Sequence, residues 1–275
     1  MTMIHIACST GIRSTKSLEE ACRLIHELGF RFVDPLAMEG WHIKPSRILE
    51  DPAREAEGAR ELLNRYGLQC AALNLGFAHP FTRCSPTEHE TNLQVVRGAC
   101  LLARSLGTTV ITVGTGGMGA EDRETVVERV SERLREVVAI AAEAGRTVAL
   151  ETHAGSIGVY PEAAREILSR CPGLKITYDP SHYIAEEIPI GETLDLLAHT
   201  AHVHLRNARV GHFQETMAKG LLDVPWVVDR ILDAGYEGAV SIEYIEDCGA
   251  IAEGYEVRDE VLALREILAA KGLAL

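Results

Sequence analysis

The sequence lacks any long apolar segment, since no stretch approaches the ~18 uninterrupted apolar residues of a membrane-spanning helix. Its first residues, Met1 to His5, lack the charged region followed by an apolar region that marks a secretory signal. Basic residues are scarce: 27 Lys and Arg stand against 40 Asp and Glu, a net charge of −13. Nucleic-acid binding depends largely on Lys and Arg that neutralise phosphates. We therefore expect neither a membrane nor a nucleic acid as a partner.

The seven cysteines form no Cys-x-x-Cys pair, and they are an odd number scattered along the chain. A disulfide framework favours an even set in a shorter, secreted chain. We therefore expect reduced thiols and a cytoplasmic protein. Cys22 and Cys100 fall on apolar helix faces, where a buried structural thiol is expected rather than a catalytic one.

What the chain does contain is a regular alternation of short apolar runs and longer stretches of helical period. Its 275 residues, of which 47% are hydrophobic, match the size of one eight-stranded α/β barrel, about 250 residues. Each run is followed by apolar residues at spacings of three and four, which is typical of one helix face. The predicted strands are Ile4–Ala7, Phe30–Val33, Gln69–Leu73, Thr109–Val113, Thr147–Leu150, Lys175–Tyr178, Ala201–Leu205 and Ala239–Ile242.

Glycines mark the ends of the predicted helices, where the residue past the last turn favours glycine. They are Gly29, Gly67, Gly107, Gly145, Gly173 and Gly235. Eight βα units with no linker between them predict a single (β/α)8 TIM barrel domain over residues 1–275. The alternative is an open, doubly wound sheet, which normally carries Gly-x-Gly-x-x-Gly after its first strand. The sequence there reads Cys8-Ser9-Thr10-Gly11-Ile12-Arg13.

Polar residues collect at the ends of the last four predicted strands, where the chemistry of such barrels takes place. Strands five to eight end in or carry Glu151, Asp179, His204 and Glu243. A buried carboxylate is costly unless it is paired or bound to a cation. The four residues therefore predict a divalent-metal site, and oxygen ligands with one imidazole suit Mn²⁺, Mg²⁺ or Co²⁺, with Zn²⁺ as the alternative. For any single one of them, pairing with an arginine is the other interpretation.

Two histidines of strand seven, His202 and His204, are two residues apart and so face the same way. We assign His204 to the metal because it lies nearer the barrel mouth, and His202 to the core. His182 follows Asp179 by three residues and is expected in a loop over the site. Arg209 is placed to reach a substrate hydroxyl or carbonyl, with a surface arginine as the alternative.

The first half of the chain offers fewer candidates. Trp41, after strand two, is suited to form an apolar wall for a sugar ring. Asp34 closes strand two and is expected to help hold the mouth, while Asn74 and His79 are expected to line the pocket. The run Thr115–Gly119 has the glycines of a phosphate cradle but lacks the Lys-Ser/Thr of a P-loop.

These residues in this order resemble the xylose isomerase-like barrel superfamily, also called the sugar phosphate isomerase/epimerase or AP endonuclease family 2 barrels. The resemblance covers nearly the whole chain and is carried by Glu151, Asp179-x-x-His182, His204 with Arg209, and Glu243. It implies one divalent ion on Glu151, Asp179, His204 and Glu243, with a small-molecule sugar or polyol chelated through adjacent oxygens. It also implies substrate contacts from His182 and Arg209, and a homodimer or homotetramer.

On this basis we expect a divalent-metal-dependent isomerase or epimerase of a sugar or keto-polyol. Glu151 and Glu243 are expected to act as base and acid on opposite faces of a metal-stabilised enediolate. The first alternative is a dehydratase of a cyclic polyol or dehydroshikimate-like substrate, with His153 as the acid for the leaving group. Ile157 stands where ketose 3-epimerases usually carry a glutamate, which keeps this alternative open. The second alternative is a non-catalytic sugar-binding barrel.

Overall fold

The structure is a computed structural model that describes residues 4–248 and 255–275. Its strands are β1 Ile6–Ser9, β2 Phe32–Asp34, β3 Leu36–Ala37, β4 Gln69–Cys70, β5 Leu73–Leu75, β6 Val110–Val113, β7 Thr147–Glu151, β8 Lys175–Tyr178, β9 Thr200–Leu205, β10 Asn207–Arg209, β11 His212–Glu215 and β12 Val240–Ile242. Its α-helices are α1 Leu18–Glu27, α2 Pro45–Glu50, α3 Pro52–Arg65, α4 Pro86–Leu106, α5 Arg123–Glu143, α6 Pro161–Arg170, α7 Pro180–Ala185, α8 Val224–Asp233 and α9 Val257–Ala270. Short 3-10 helices cover Thr10–Arg13, Ile157–Val159 and Ile190–His199.

Ten of the strands form one parallel sheet that closes into an eight-stranded barrel. Strand positions two and three each consist of two pieces, β2 with β3 and β4 with β5. Because β2 pairs with β4, β3 pairs with β5, and β12 pairs with both β9 and β1, every strand position has two neighbours. The predicted TIM barrel is confirmed, and each predicted strand lies within two residues of an observed one.

The interruptions occur where backbone amides donate to side chains instead of to the neighbouring strand. Pro35 separates β2 from β3 and has no N–H to give to the ladder. The next amide, that of Leu36, donates to Thr10 Oγ1 at 3.0 Å. Between β4 and β5, the amide of Ala72 donates to Asp34 Oδ1 at 3.1 Å. The second interruption therefore fixes the carboxylate of Asp34 inside the barrel.

The helices cover the barrel with their apolar faces. In α5 the buried positions include Val126, Val130, Leu134 and Val137, at the predicted spacings of three and four. Burying one such side chain contributes about 1.5–3 kcal/mol, so a single long helix contributes substantially to the core. The glycines predicted at the helix ends all have positive φ, between 64° and 92°. None of the helices in the described ranges is long and apolar enough to span a membrane.

All seven cysteines are free thiols, and six of them are buried. Burial raises the pKa of Cys22 to about 12 and that of Cys100 to about 11. A thiol must ionise to act as a nucleophile, so these two positions are structural.

One element of the fold was not predicted from the sequence. Directly after β9 the chain forms an antiparallel hairpin, β10–β11, which is separate from the barrel sheet. The hairpin packs against α7 and lies over the mouth of the barrel. Its position decides which of the polar residues after β9 reach the site.

Candidate active site

Four polar side chains converge at the carboxyl ends of β7, β8, β9 and β12. They belong to Glu151, Asp179, His204 and Glu243, all four are buried, and their ligand atoms lie within 4.8 Å of one another. Each comes from a different strand position, and β7, β8, β9 and β12 are consecutive neighbours in the curved sheet, which brings their carboxyl ends together. The structure therefore brings together the four residues that the sequence nominated as metal ligands.

His204 is oriented by carboxylates on both of its ring nitrogens. Its Nδ1 lies 2.9 Å from Glu151 Oε1 and 3.4 Å from Glu243 Oε2, so this nitrogen faces the cluster. Its Nε2 lies 3.5 Å from Asp34 Oδ2, on the side of the barrel interior. The same Asp34 oxygen accepts a hydrogen bond from His202 Nε2 at 2.5 Å. His202 thus lies below the cluster, as expected from its place in the strand.

Arg206 is a residue of this site that the sequence analysis did not select. Its side chain is 1% exposed, and Nη2 lies 2.9 Å from Glu243 Oε2 and 3.2 Å from Asp179 Oδ2. Nη1 donates to the Glu243 carbonyl oxygen at 3.0 Å, and Nε donates to Ser181 Oγ at 3.2 Å. A signal was present, because Arg206 lies two residues after His204 and side chains alternate along a strand. The period of β9, continued one residue past its end at Leu205, places His202, His204 and Arg206 on the same inner face.

His182 and Arg209 take very different positions. His182 is completely buried on α7, where its Nε2 accepts a hydrogen bond from Arg206 Nη2 at 3.0 Å. Burial, with the positive charge of neighbouring groups, lowers the pKa of His182 well below its usual value, so the ring is neutral and accepts this bond. Arg209 lies on the hairpin with 45% of its side chain exposed and donates to Glu215 Oε2 at 2.8 Å.

A cavity of about 500 Å³ opens above the four converging side chains. Glu151, Glu243, His153 and Arg206 line its floor, and its wall includes Trp41, Met38 and the hairpin residues His212, Phe213 and Gln214. Neither His182 nor Arg209 borders it, and His79 instead lies 3.2 Å from Glu88. Asn74 borders the cavity and donates to Glu243 Oε1 at 3.0 Å.

The sequence matches the family described as xylose isomerase-like TIM barrel over residues 22–267. The chain belongs to this family. A comparison with functionally curated proteins finds no significant match to the sequence. The family assignment confirms the resemblance seen in the strand-end motifs.

Solved structures of similar fold include epimerases and a probable dehydratase. A D-tagatose 3-epimerase-like protein superposes with a TM-score of 0.78 at 19% identity, over 97% of this chain and 96% of that one. The 3-keto-D-glucoside 4-epimerase of E. coli gives 0.74 at 18% identity, over 97% and 98%. The probable 3-DHS dehydratase of Bacillus anthracis gives 0.72 at 16% identity, over 97% and 99%. At these sequence identities, the structural similarity supports the xylose isomerase-like barrel fold of this chain.

The electrostatics of this xylose isomerase-like site separate its two glutamates. Burial raises the pKa of Glu151, but the hydrogen bond and charge of His204 outweigh burial and hold it below the usual range. Burial raises the pKa of Glu243, and the attraction of His204 and Arg206 does not fully offset it. Neighbouring titratable groups whose pKa values are pushed apart are suited to act as a base and an acid.

The residues of the cluster fit a divalent cation. Three carboxylates and one imidazole nitrogen supply hard oxygen donors with a single nitrogen donor, a set that Mn²⁺, Mg²⁺ and Co²⁺ accept readily. His204 presents Nδ1 to this donor set and turns Nε2 toward Asp34. A carboxylate on the second nitrogen of a metal-binding histidine is a common arrangement, because it fixes the ring and its tautomer.

Proposed function

We propose that this protein is a divalent-metal-dependent isomerase or epimerase of a sugar or keto-polyol. The observation that carries the proposal is the placement of Glu151 and Glu243 around His204 Nδ1 on the floor of one cavity. Glu151, Asp179, His204 and Glu243 would hold the ion. When bound, a divalent ion supplies Lewis acidity toward the carbonyl and an adjacent hydroxyl of the substrate.

The two glutamates perform the proton transfers of the proposed reaction. Glu151 is ionised at neutral pH, lies 2.9 Å from His204 Nδ1 and borders the cavity, so it takes the proton from the carbon beside the carbonyl. Glu243, whose Oε2 lies 3.4 Å from the same His204 nitrogen and which borders the same cavity, returns a proton to the substrate. Return to the opposite face of the same carbon gives epimerisation, and return to the neighbouring carbon gives isomerisation.

Arg206 is the arginine that the geometry favours for substrate contact. It borders the cavity, whereas Arg209 is half-exposed on the hairpin and pairs with Glu215. The bonds to Glu243, Asp179 and Ser181 hold the guanidinium rigidly, so it is oriented before substrate arrives. We propose that Arg206 faces a substrate oxygen and that His182, bonded behind it, keeps it in place.

Dehydration is the second candidate, and one observation favours it. His153 borders the cavity, and its Nδ1 lies 2.8 Å from the carbonyl oxygen of Ala154. Because a carbonyl oxygen only accepts, Nδ1 carries a proton and donates it to this hydrogen bond. This leaves Nε2 as the nitrogen that exchanges a proton with substrate. Ile157, at the position where ketose 3-epimerases usually have a glutamate, is completely buried in a 3-10 helix.

Proton NMR in D₂O tests the proposal and separates it from the second candidate. The protein is incubated with Mn²⁺ and a panel of ketoses and inososes. Deuterium incorporation at the carbon beside the carbonyl, without loss of water, supports an isomerase or epimerase. A new alkene or enone signal supports a dehydratase, and sugar binding without exchange across the panel supports a non-catalytic sugar-binding barrel.

The remaining expectations concern partners and location. We propose a small-molecule sugar substrate, no nucleic-acid or membrane partner, and a cytoplasmic protein. A homodimer or homotetramer stays a prediction, which sedimentation equilibrium measures directly.

A further inference from the structure

A second cavity lies beside the first at the mouth of the barrel. Its volume is about 410 Å³, and the loops that follow β5, β6 and β7 form most of it. The two cavities share four lining residues, Met38, Asn74, Glu151 and His153. Each of them alone has the volume of a small-molecule site, roughly 300–1,000 Å³. The mouth therefore has room for more than one sugar ring.

The lining residues show which cavity holds the reacting ring. Glu151 borders both cavities, whereas Glu243 and Arg206 border the first alone. The proposed reaction needs Glu151 and Glu243 at the same substrate carbon, so the reacting ring lies in the first cavity. The second cavity begins on the far side of Glu151 and His153. It is placed to receive a group attached to the reacting ring.

The walls of the second cavity suit an uncharged ring with one apolar face. Met38, Phe77 and Pro80 supply apolar surface, and Asn74 and Ser156 supply polar groups. Among the residues that the structure describes, its lining includes no lysine or arginine, and Glu151 is the single acidic residue. A phosphate or carboxylate there would meet no lysine or arginine and would lie near the carboxylate of Glu151, so its desolvation would be costly. A pyranose, with an apolar face and a hydroxyl-bearing edge, matches these walls.

The glycine-rich loop after β6 forms one side of this cavity and leaves it open. A Cβ at Gly116, whose φ is +87°, would lie 2.4 Å from Pro80 Cβ, so the loop needs glycine to approach Pro80. Gly114 is different, because a Cβ there would meet no atom within 4 Å. Thr112 faces the barrel interior, where its hydroxyl contacts Thr177 Oγ1 at 2.8 Å. Gly114 follows it by two residues and therefore faces the same side.

We infer that the second cavity is a subsite for the second ring of an uncharged glycoside or disaccharide, whose keto-bearing ring occupies the first cavity. This inference rests on the proposed function for the position of the reacting ring. It deepens that function by naming the substrate class: a glycosylated keto sugar rather than a free or phosphorylated monosaccharide.

Disaccharides with a free carbonyl test the inference. With Mn²⁺ in D₂O, deuterium exchange is measured for lactulose and isomaltulose against D-fructose, and binding of the same sugars is measured by calorimetry. We expect kcat/KM for the better disaccharide to exceed that for D-fructose at least tenfold. Gly114→Leu, which fills the second cavity, should lower the disaccharide value at least tenfold and change the D-fructose value less than twofold. Gly58→Leu, on the exposed face of α3, is the matched control and should change neither.

The outcomes separate the subsite from the reaction. Equal kcat/KM for all three sugars, or an equal loss for all three in Gly114→Leu, would overturn the subsite. If no sugar exchanges deuterium, the proposed function fails, and calorimetry decides the subsite alone. Tighter binding of a disaccharide that is lost in Gly114→Leu supports it, and equal binding of all three sugars overturns it. Phe77→Ala, which removes an apolar wall, replaces Gly114→Leu if that variant does not fold.

Discussion

Replacing Arg206 by glutamine should destabilise the protein strongly when metal is removed. The change deletes the guanidinium that lies 2.9 Å from Glu243 Oε2 and 3.2 Å from Asp179 Oδ2, and both carboxylates are buried. Removing one partner of a buried ion pair costs about 3–5 kcal/mol, because the other charge stays buried and unpaired. At roughly 2–4 °C per kcal/mol for a domain of this size class, the expected loss in Tm is about 6–20 °C.

Thermal unfolding in EDTA, followed by circular dichroism, measures this loss in Tm. Added Mn²⁺ should raise the Tm of Arg206→Gln more than that of the wild type, because the ion supplies the positive charge that the variant lacks. Arg209→Gln is the matched control, since an exposed ion pair contributes only about 0–1 kcal/mol. A Tm of Arg206→Gln within 2–3 °C of the control would refute the reasoning, because the carboxylates would then not depend on this arginine.

Three further predictions concern the same cluster. Glu243→Gln should lower turnover by about 10²–10⁴-fold, which is the usual contribution of a general acid or base. The circular dichroism spectrum of this variant should stay unchanged. Near-normal turnover would remove Glu243 from the mechanism. His202→Asn should lower the free energy of unfolding by about 1–3 kcal/mol, because Asp34 loses its buried partner. Calorimetry should still detect Mn²⁺ binding to this variant. Loss of Mn²⁺ binding would instead make His202 a ligand. Burial lowers the pKa of His204, but the neighbouring carboxylates outweigh burial and raise it well above its usual value. A proton therefore competes with the ion for this ring, and Mn²⁺ affinity should fall from pH 8 to pH 6. Equal dissociation constants at the two pH values, measured by electron paramagnetic resonance titration, would contradict this competition.

Much of the barrel could be predicted because each strand carries its own local signal. β8 is an uninterrupted run of four residues, Lys175–Tyr178, and it occurs where it was predicted. The glycines that end helices, such as Gly107 with a φ of 79°, marked the boundaries. The interruption between β4 and β5 had no such signal. It depends on a hydrogen bond from the Ala72 amide to the side chain of Asp34, 38 residues earlier in the chain.

The candidate site was predictable where residues belong to strands and unpredictable where they belong to loops. The cluster of Glu151, Asp179, His204 and Glu243 follows from the ends of four strands that are neighbours in a parallel barrel sheet. The family resemblance implies substrate contact from Arg209, but the hairpin β10–β11 carries its side chain toward the surface. The alternation of β9, continued past Leu205, indicates that Arg206 faces the same side as His204. The contact between Asp34 and His202 joins the second and seventh strand positions, which no local pattern reveals.

The hairpin β10–β11 makes the wall of the first cavity an exchangeable part of the molecule. It supplies His212, Phe213 and Gln214 to the cavity and shares no ladder with the barrel. At its two ends, Asn207 bonds to the Leu222 backbone and Gln214 bonds to both backbone groups of Ile245. A hairpin of another length or sequence, grafted between these two anchors with Phe213 kept over Arg206, would reshape substrate choice while the cluster beneath kept its geometry. Diversity of substrates can therefore arise in this short segment without any change to the reacting groups.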